Sequence, residues 1–162
     1  MSPLLKTSLL CLLTVSFCIG TVAICAAQPK SSQLSFDSTK AIKEIEQRNE
    51  IFLNALKTGD SIALGNFYTT DAKIFNSGSP TTVGREAIAK FYGRIIRGGV
   101  NSCTIVTTGV WGSGDNLVVE EGNIDFLLSN GNTAVKGRYL LVWKRDDGIL
   151  KVFRDSFSSD KQ

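Results

Sequence analysis

The chain has 162 residues, with 18 Lys and Arg against 15 Asp and Glu, no histidine, and a formal charge of +3. So small and evenly spread a charge gives no basis for binding nucleic acid or a membrane surface. The missing histidine removes the usual general base and the commonest metal ligand, so no zinc site or nucleophilic triad can be assembled and no cofactor is expected.

The first segment, MSPLLKTSLLCLLTVSFCIGTVAICAAQPK, has one early base, Lys6, then an apolar run from Leu9 to Ala27 and small residues before Gln28. This is the pattern of a cleavable signal peptide spanning residues 1–27, cut near Ala27, which implies a secreted or periplasmic protein. The apolar run is long for a signal, so a retained anchor stays open. Ile24 and Phe17 put large side chains before Cys25 and Cys18, where lipid attachment needs small ones. Without Lys6, 17 basic side chains remain against 15 acidic ones, or about +2. Cys11, Cys18 and Cys25 leave with the signal, and Cys103 stays alone without a disulfide partner. Its neighbours Ser102 and Thr104 carry no charge, which suits an inert buried thiol.

Residues 28–37 read as a polar, flexible leader, and 38–160 as one domain. Ser38 to Lys57 carries Ala41, Ile42, Ile45, Phe52, Ala55 and Leu56 at helical spacing, with Asp37 or Ser38 as cap and Gly59 as stop. Asp60 caps a short second helix through Ile62, Leu64 and Phe67. Residues 71–76 read as a strand, SGSPTTVG as a loop, and Gly84 to Arg97 as a third helix. From Asn101 the period changes to that of strands: 102–111, 117–128, 133–144 and 149–158. The glycines of GVWGSGD join two of these strands, unlike a phosphate-binding loop, which leads into a helix. Helices followed by a meander predict an α+β fold, with helices packed on one face of a curved antiparallel sheet.

Turn lengths turn this plan into a register. A two-residue Asn130-Gly131 turn sets Asn123 opposite Arg138. A four-residue turn from Arg145 to Gly148 sets Arg138 opposite Asp155, making a polar row of Asn123, Arg138 and Asp155 across three strands. Leu140, Val142, Phe153 and Phe157 would share its side; Ile124, Phe126, Tyr139, Leu141, Trp143, Leu150 and Val152 take the other. A two-residue turn at Asp147-Gly148 instead moves Asp155 opposite Leu140, within diagonal reach of Arg138. Both faces are apolar, so one covers the helices and the other calls for a partner, most simply a second copy. Glu120 and Glu121 point to opposite faces and form no carboxylate pair.

FLNALKTGDSIALGNFYTTDAKIF, VGREAIAKFYG and GRYLLVWKRDDGILKVFRDSF together resemble the nuclear transport factor 2-like superfamily, closest to its SnoaL-like, ketosteroid-isomerase-like branch. The resemblance spans about residues 40–158. It implies a cone-shaped α+β barrel, with three N-terminal helices packed in a strongly curved antiparallel sheet and a pocket at its open end, and a homodimer through the outer sheet face. It also places that branch's tyrosine donor at Phe52, its general base at Asn76 and its protonated acid at Leu140. None of the three keeps the group that steroid isomerisation requires.

The resemblance puts Leu140, Phe153 and Phe157, and the polar row with them, on the concave side. The expected function is an exported dimeric domain that binds a small, partly apolar and possibly anionic molecule, with Asn123, Arg138, Asp155, Asn76 and Tyr92 as ligand-binding candidates. Arg138 and Asp155 serving only to satisfy each other is the plainer reading of that pair. Asn76 as a strand-end residue, and Tyr92 and Trp111 as packing, are the plainer readings of those positions. Two alternatives stand beside binding: an isomerase, cyclase or dehydratase with Asp155 as general base, and a non-catalytic assembly module.

Overall fold

The computed structural model describes residues 36–160. The segment expected to be a signal, residues 1–27, and residues 28–35 of the expected leader lie outside the described residues. The leader's last two residues, Phe36 and Asp37, belong to the fold: Phe36 packs against the core and Asp37 caps the first helix.

The elements follow in chain order: α1 (Ser38–Thr58), α2 (Ser61–Asn66), β1 (Tyr68–Asn76), β2 (Thr82–Val83), α3 (Arg85–Arg97), β3 (Val100–Gly112), β4 (Leu117–Leu128), β5 (Thr133–Asp146) and β6 (Ile149–Ser159). α1 begins where Asp37 accepts from the Lys40 amide at 3.0 Å. It ends where Gly59, at φ 73°, returns its amide to Ala55 and Leu56. Asp60 caps α2 through the Ala63 amide at 2.9 Å. No helix among the described residues is long and apolar enough to cross a membrane.

One six-stranded sheet runs in the order β2-β1-β6-β5-β4-β3. The meander β3 to β6 is antiparallel, as expected, but the sheet as a whole is mixed, because β1 pairs parallel with β6. Strand β1 also starts at Tyr68, three residues before the reading from sequence. The helices fill the concave face, where Trp143, Leu56, Leu64, Ile88, Leu150 and Val152 are buried. Phe67 meets the Trp143 ring edge-on at 5.3 Å.

The β4–β5 register is as expected: Asn123 lies opposite Arg138. The β5–β6 register is not. Its turn is the two-residue one, with Asp147 at φ 50° and Gly148 at φ 80°, so Asp146 faces Ile149. A bulge then shifts the pairing by one residue between Val142 and Trp143. Phe153 and Arg154 stand where a regular strand would have one residue, and the Arg154 guanidinium stacks 3.5 Å above the Phe153 ring. Beyond the bulge Asp155 faces Leu141, and Arg138 faces Ser158.

That shift reverses half of the predicted faces. Asp155 and Phe157 join Tyr139, Leu141 and Trp143 on the concave side. Leu140, at 44% exposure, lies with Arg138 and Asn123 on the convex side. The polar row is therefore broken.

A second polar group holds the concave face. The side chain of Glu120 is fully buried and accepts from Thr107 Oγ1 at 2.7 Å, Tyr139 Oη at 2.7 Å and Trp143 Nε1 at 2.9 Å. Gly122 makes this possible, since a Cβ there would lie 2.5 Å from the Tyr139 hydroxyl. Removing the carboxylate strands three donors. Glu120→Ala is expected to cost about 3 kcal/mol or more in urea denaturation, and Glu120→Gln distinctly less, because its carbonyl oxygen still accepts.

Candidate functional site

The cone holds a cavity of about 530 Å³. Its inner wall comes from α1 (Phe52), α3 (Phe91, Tyr92), β1 (Tyr68, Ile74) and the concave side of β4 to β6. Asn76, Ser77, Ser79 and Ser159 also line it. The wall is mainly aromatic: Phe52 packs against Phe67 at 5.2 Å and edge-on to Tyr92 at 5.5 Å.

Asp155 is the charged residue of this lining, at 8% exposure. Its partner on β1 is Ile74, which lines the cavity from the same face of the sheet. Tyr68 Oη donates to Asp155 Oδ2 at 2.7 Å, and the Tyr68 and Tyr92 hydroxyls lie 2.7 Å apart. Burial raises the Asp155 pKa from 3.8 to about 6, and the Tyr68 hydrogen bond offsets only part of this. Both phenols are held well above their ordinary range, first by burial and then by the charge of Asp155, so they stay protonated.

Of the residues singled out from sequence, Asp155, Asn76 and Tyr92 line the cavity together. Asn123 and Arg138 do not. Both sit exposed on the convex face, and Arg138 Nε is 3.6 Å from Asp160 Oδ1, with both side chains largely in solvent. The guanidinium thus neither touches Asp155 nor reaches the pocket. Phe52 lines the cavity at the place the resemblance gave it, whereas Leu140 faces outward and Leu141 takes the inward position. Trp111 lies outside the cavity, folded over Gly109.

Tyr68 and Tyr139 complete the polar wall and were not singled out for it; Glu120, which holds Tyr139, is buried outside the lining. The Asn130-Gly131 turn alone sets Glu120 opposite Leu141, between Tyr139 and Trp143, so this cluster had a sequence signal. Cys103 is buried beside Tyr92, and burial pushes its thiol up to about 12. No group of three or more metal-ligating side chains occurs among the described residues.

The fold agrees with comparison to known proteins. The SnoaL-like domain family matches residues 50–153. The chain belongs to the SnoaL-like family. Solved structures support the fold. A cystatin-like domain of unknown function from Nostoc punctiforme superposes with a TM-score of 0.66 at 14% identity, covering 78% of this chain and 81% of that one. A ketosteroid isomerase-like protein from Erwinia carotovora atroseptica gives 0.62 at 18% identity, covering 78% and 100%. An NTF-2 like protein of unknown function from Shewanella oneidensis gives 0.62 at 16%, covering 73% and 98%. No curated protein matches the chain.

The buried carboxyl of Asp155 makes the stability of this SnoaL-like domain depend on pH. Its folded pKa is raised, so the fold binds the proton more tightly than the unfolded chain does between pH 3.8 and about 6. Stability therefore falls as pH rises through that window and levels off above it, at a cost of about 3 kcal/mol. Asp155→Asn should remove this slope and raise stability at pH 7, as read by denaturation at several pH values. In the wild type, NMR should place the carboxyl midpoint near 6.

Proposed function

We propose that this SnoaL-like domain is exported and dimeric, and that it binds a small, mostly apolar, uncharged or cationic molecule in its cone, with Asp155 as the polar anchor. The observation that carries this is the cavity of about 530 Å³ whose aromatic wall holds a single carboxylate and no Lys or Arg. That volume suits a molecule of two or three fused rings. An anionic ligand loses its basis, since Arg138 lies on the other face of the sheet. The open cavity also weighs against a role in assembly alone.

The dimer rests on the convex face. Val106 at 52%, Trp111 at 51% and Leu140 at 44% are exposed there, next to Val119, Val142 and Phe153. Contiguous apolar area of this kind is uncommon on a monomer. Light scattering should give twice the monomer mass at micromolar concentration, and Leu140→Glu should halve it. A monomeric wild type would defeat this part. Export predicts that protein recovered from outside the cytoplasm starts near Gln28; recovery with Met1 intact would count against cleavage.

For the ligand, calorimetry with uncharged bicyclic probes should detect binding that Ile74→Trp, which fills the cavity, removes. Binding that persists in Ile74→Trp would place the site elsewhere.

A second reading has a specific observation behind it. A carboxylate with a pKa near 6, in an apolar site, is suited to take a proton from carbon next to a carbonyl. Deuterium incorporation into a bound cyclic ketone in D2O, abolished by Asp155→Asn, would establish such chemistry; exchange at the solvent rate would exclude it for that ketone.

A further inference from the structure

The wall of the cavity contains three phenol protons, and the hydrogen bonds fix where each one points. An ionised carboxylate can only accept, so the 2.7 Å contact between Tyr68 and Asp155 takes the Tyr68 proton. A phenol has one proton, so in the 2.7 Å contact between Tyr68 and Tyr92 the donor is Tyr92. Tyr139 gives its proton to Glu120 Oε1 at 2.7 Å, and Thr107 gives its own to the same oxygen. All three phenols thus spend their protons inside the protein.

What the phenols and the carboxylate leave for a ligand is a set of acceptors; the other polar side chains of the lining are the neutral amides of Asn49 and Asn76 and the hydroxyls of Ser77, Ser79 and Ser159. The Tyr92 oxygen keeps free lone pairs. Asp155 Oδ1 receives no hydrogen bond from the described residues, and its carboxyl lies in the cavity wall. Asp155 Oδ2 and Tyr92 Oη each lie 2.7 Å from the Tyr68 hydroxyl, so one small head group reaches both. The titratable groups facing Asp155 are Tyr68 from β1 and Tyr92 from α3, with Cys103 of β3 beside Tyr92. None of these is a cation, and no Lys or Arg lines the cavity.

A buried carboxylate without a counter-charge, set among lone pairs and aromatic faces, describes a receptor for a protonated nitrogen. We propose that the ligand of this SnoaL-like domain is a lipophilic amine, bound as its ammonium with N–H groups on Asp155 and Tyr92 and its apolar body against Phe52, Phe91 and Phe157. This rests on the reading of the cone as a small-molecule site. It adds the ligand's charge and its hydrogen-bond sense. A hydroxyl could fill one of these contacts, but only the ammonium offers several donors together with the opposite charge.

The test uses three probes of one shape: 2-(1-naphthyl)ethylamine, 2-(1-naphthyl)ethanol and 1-naphthylacetate. Each is titrated into the protein by calorimetry at pH 7.5. The amine is expected to bind roughly tenfold or more tightly than the alcohol, and the carboxylate most weakly. In Asp155→Asn the amine should fall to the affinity of the alcohol while the alcohol is little changed. Tyr92→Phe, which keeps the ring, should weaken the amine several-fold more than the alcohol. Alcohol or carboxylate binding as tightly as the amine, or an amine preference that survives Asp155→Asn, would overturn the ligand class and leave the small-molecule reading intact. If all three probes fail to bind at millimolar concentration, both fall together.

Discussion

Val152 and Asp155 both face the interior of the cone although two residues stand between them. In a regular strand that is impossible, because side chains alternate. The bulge at Phe153 is what permits it, and the rest of the site depends on it. Without the bulge, Asp155 would face Leu140 on the convex side, and the cavity would be an apolar hollow with two phenols hydrogen-bonded only to each other. The extra residue is accommodated on the outside, where Phe153 is covered by the Arg154 guanidinium and approached by Lys144 at 5.2 Å. A local irregularity on one face therefore sets the chemistry of the other.

The concave sheet carries two buried carboxylates with opposite provisions. Glu120 has three side-chain donors and behaves as a structural anchor that binds β3, β4 and β5 to one another. Asp155 has one donor and is left partly unsatisfied, at a cost in stability. Folds carry such a cost where a site needs it. The contrast is sharper because Tyr139 serves the first acid and Tyr68 the second, so the phenols of one wall divide between the two acids. Gly122 enables the division by leaving the space that the Tyr139 ring crosses.

Much of this was legible in the sequence. Helical periodicity with Asp37, Gly59 and Asp60 as punctuation placed α1 and α2 nearly to the residue, and Asn130-Gly131 set the β4–β5 register correctly. The two apolar sets on β4 and β5 were also separated correctly. Which set faced inward depended on β6. There, Asp147 adopts a positive φ that makes a two-residue turn, and no residue pattern announces the bulge that follows. A one-residue error inverts a whole face, so Arg138, Asn123 and Leu140 changed sides together. The parallel pairing of β1 with β6 was hidden for another reason. It joins segments far apart in the chain, and alternation within a strand says nothing about its distant neighbours.

That same pairing governs how the chain can assemble. The bond from Tyr68 to Asp155 spans 87 residues, and β1 has no long partner other than the last strand. Contacts so distant in sequence are slow to form, because a large loop must close before they reward it. During synthesis the helices and the first strands emerge with one edge of the sheet unfilled, and the hollow has no closing wall. The sheet cannot be completed until β6 has left the ribosome. Shortening the carboxyl end by a single strand would leave an incomplete sheet rather than a smaller version of the same fold.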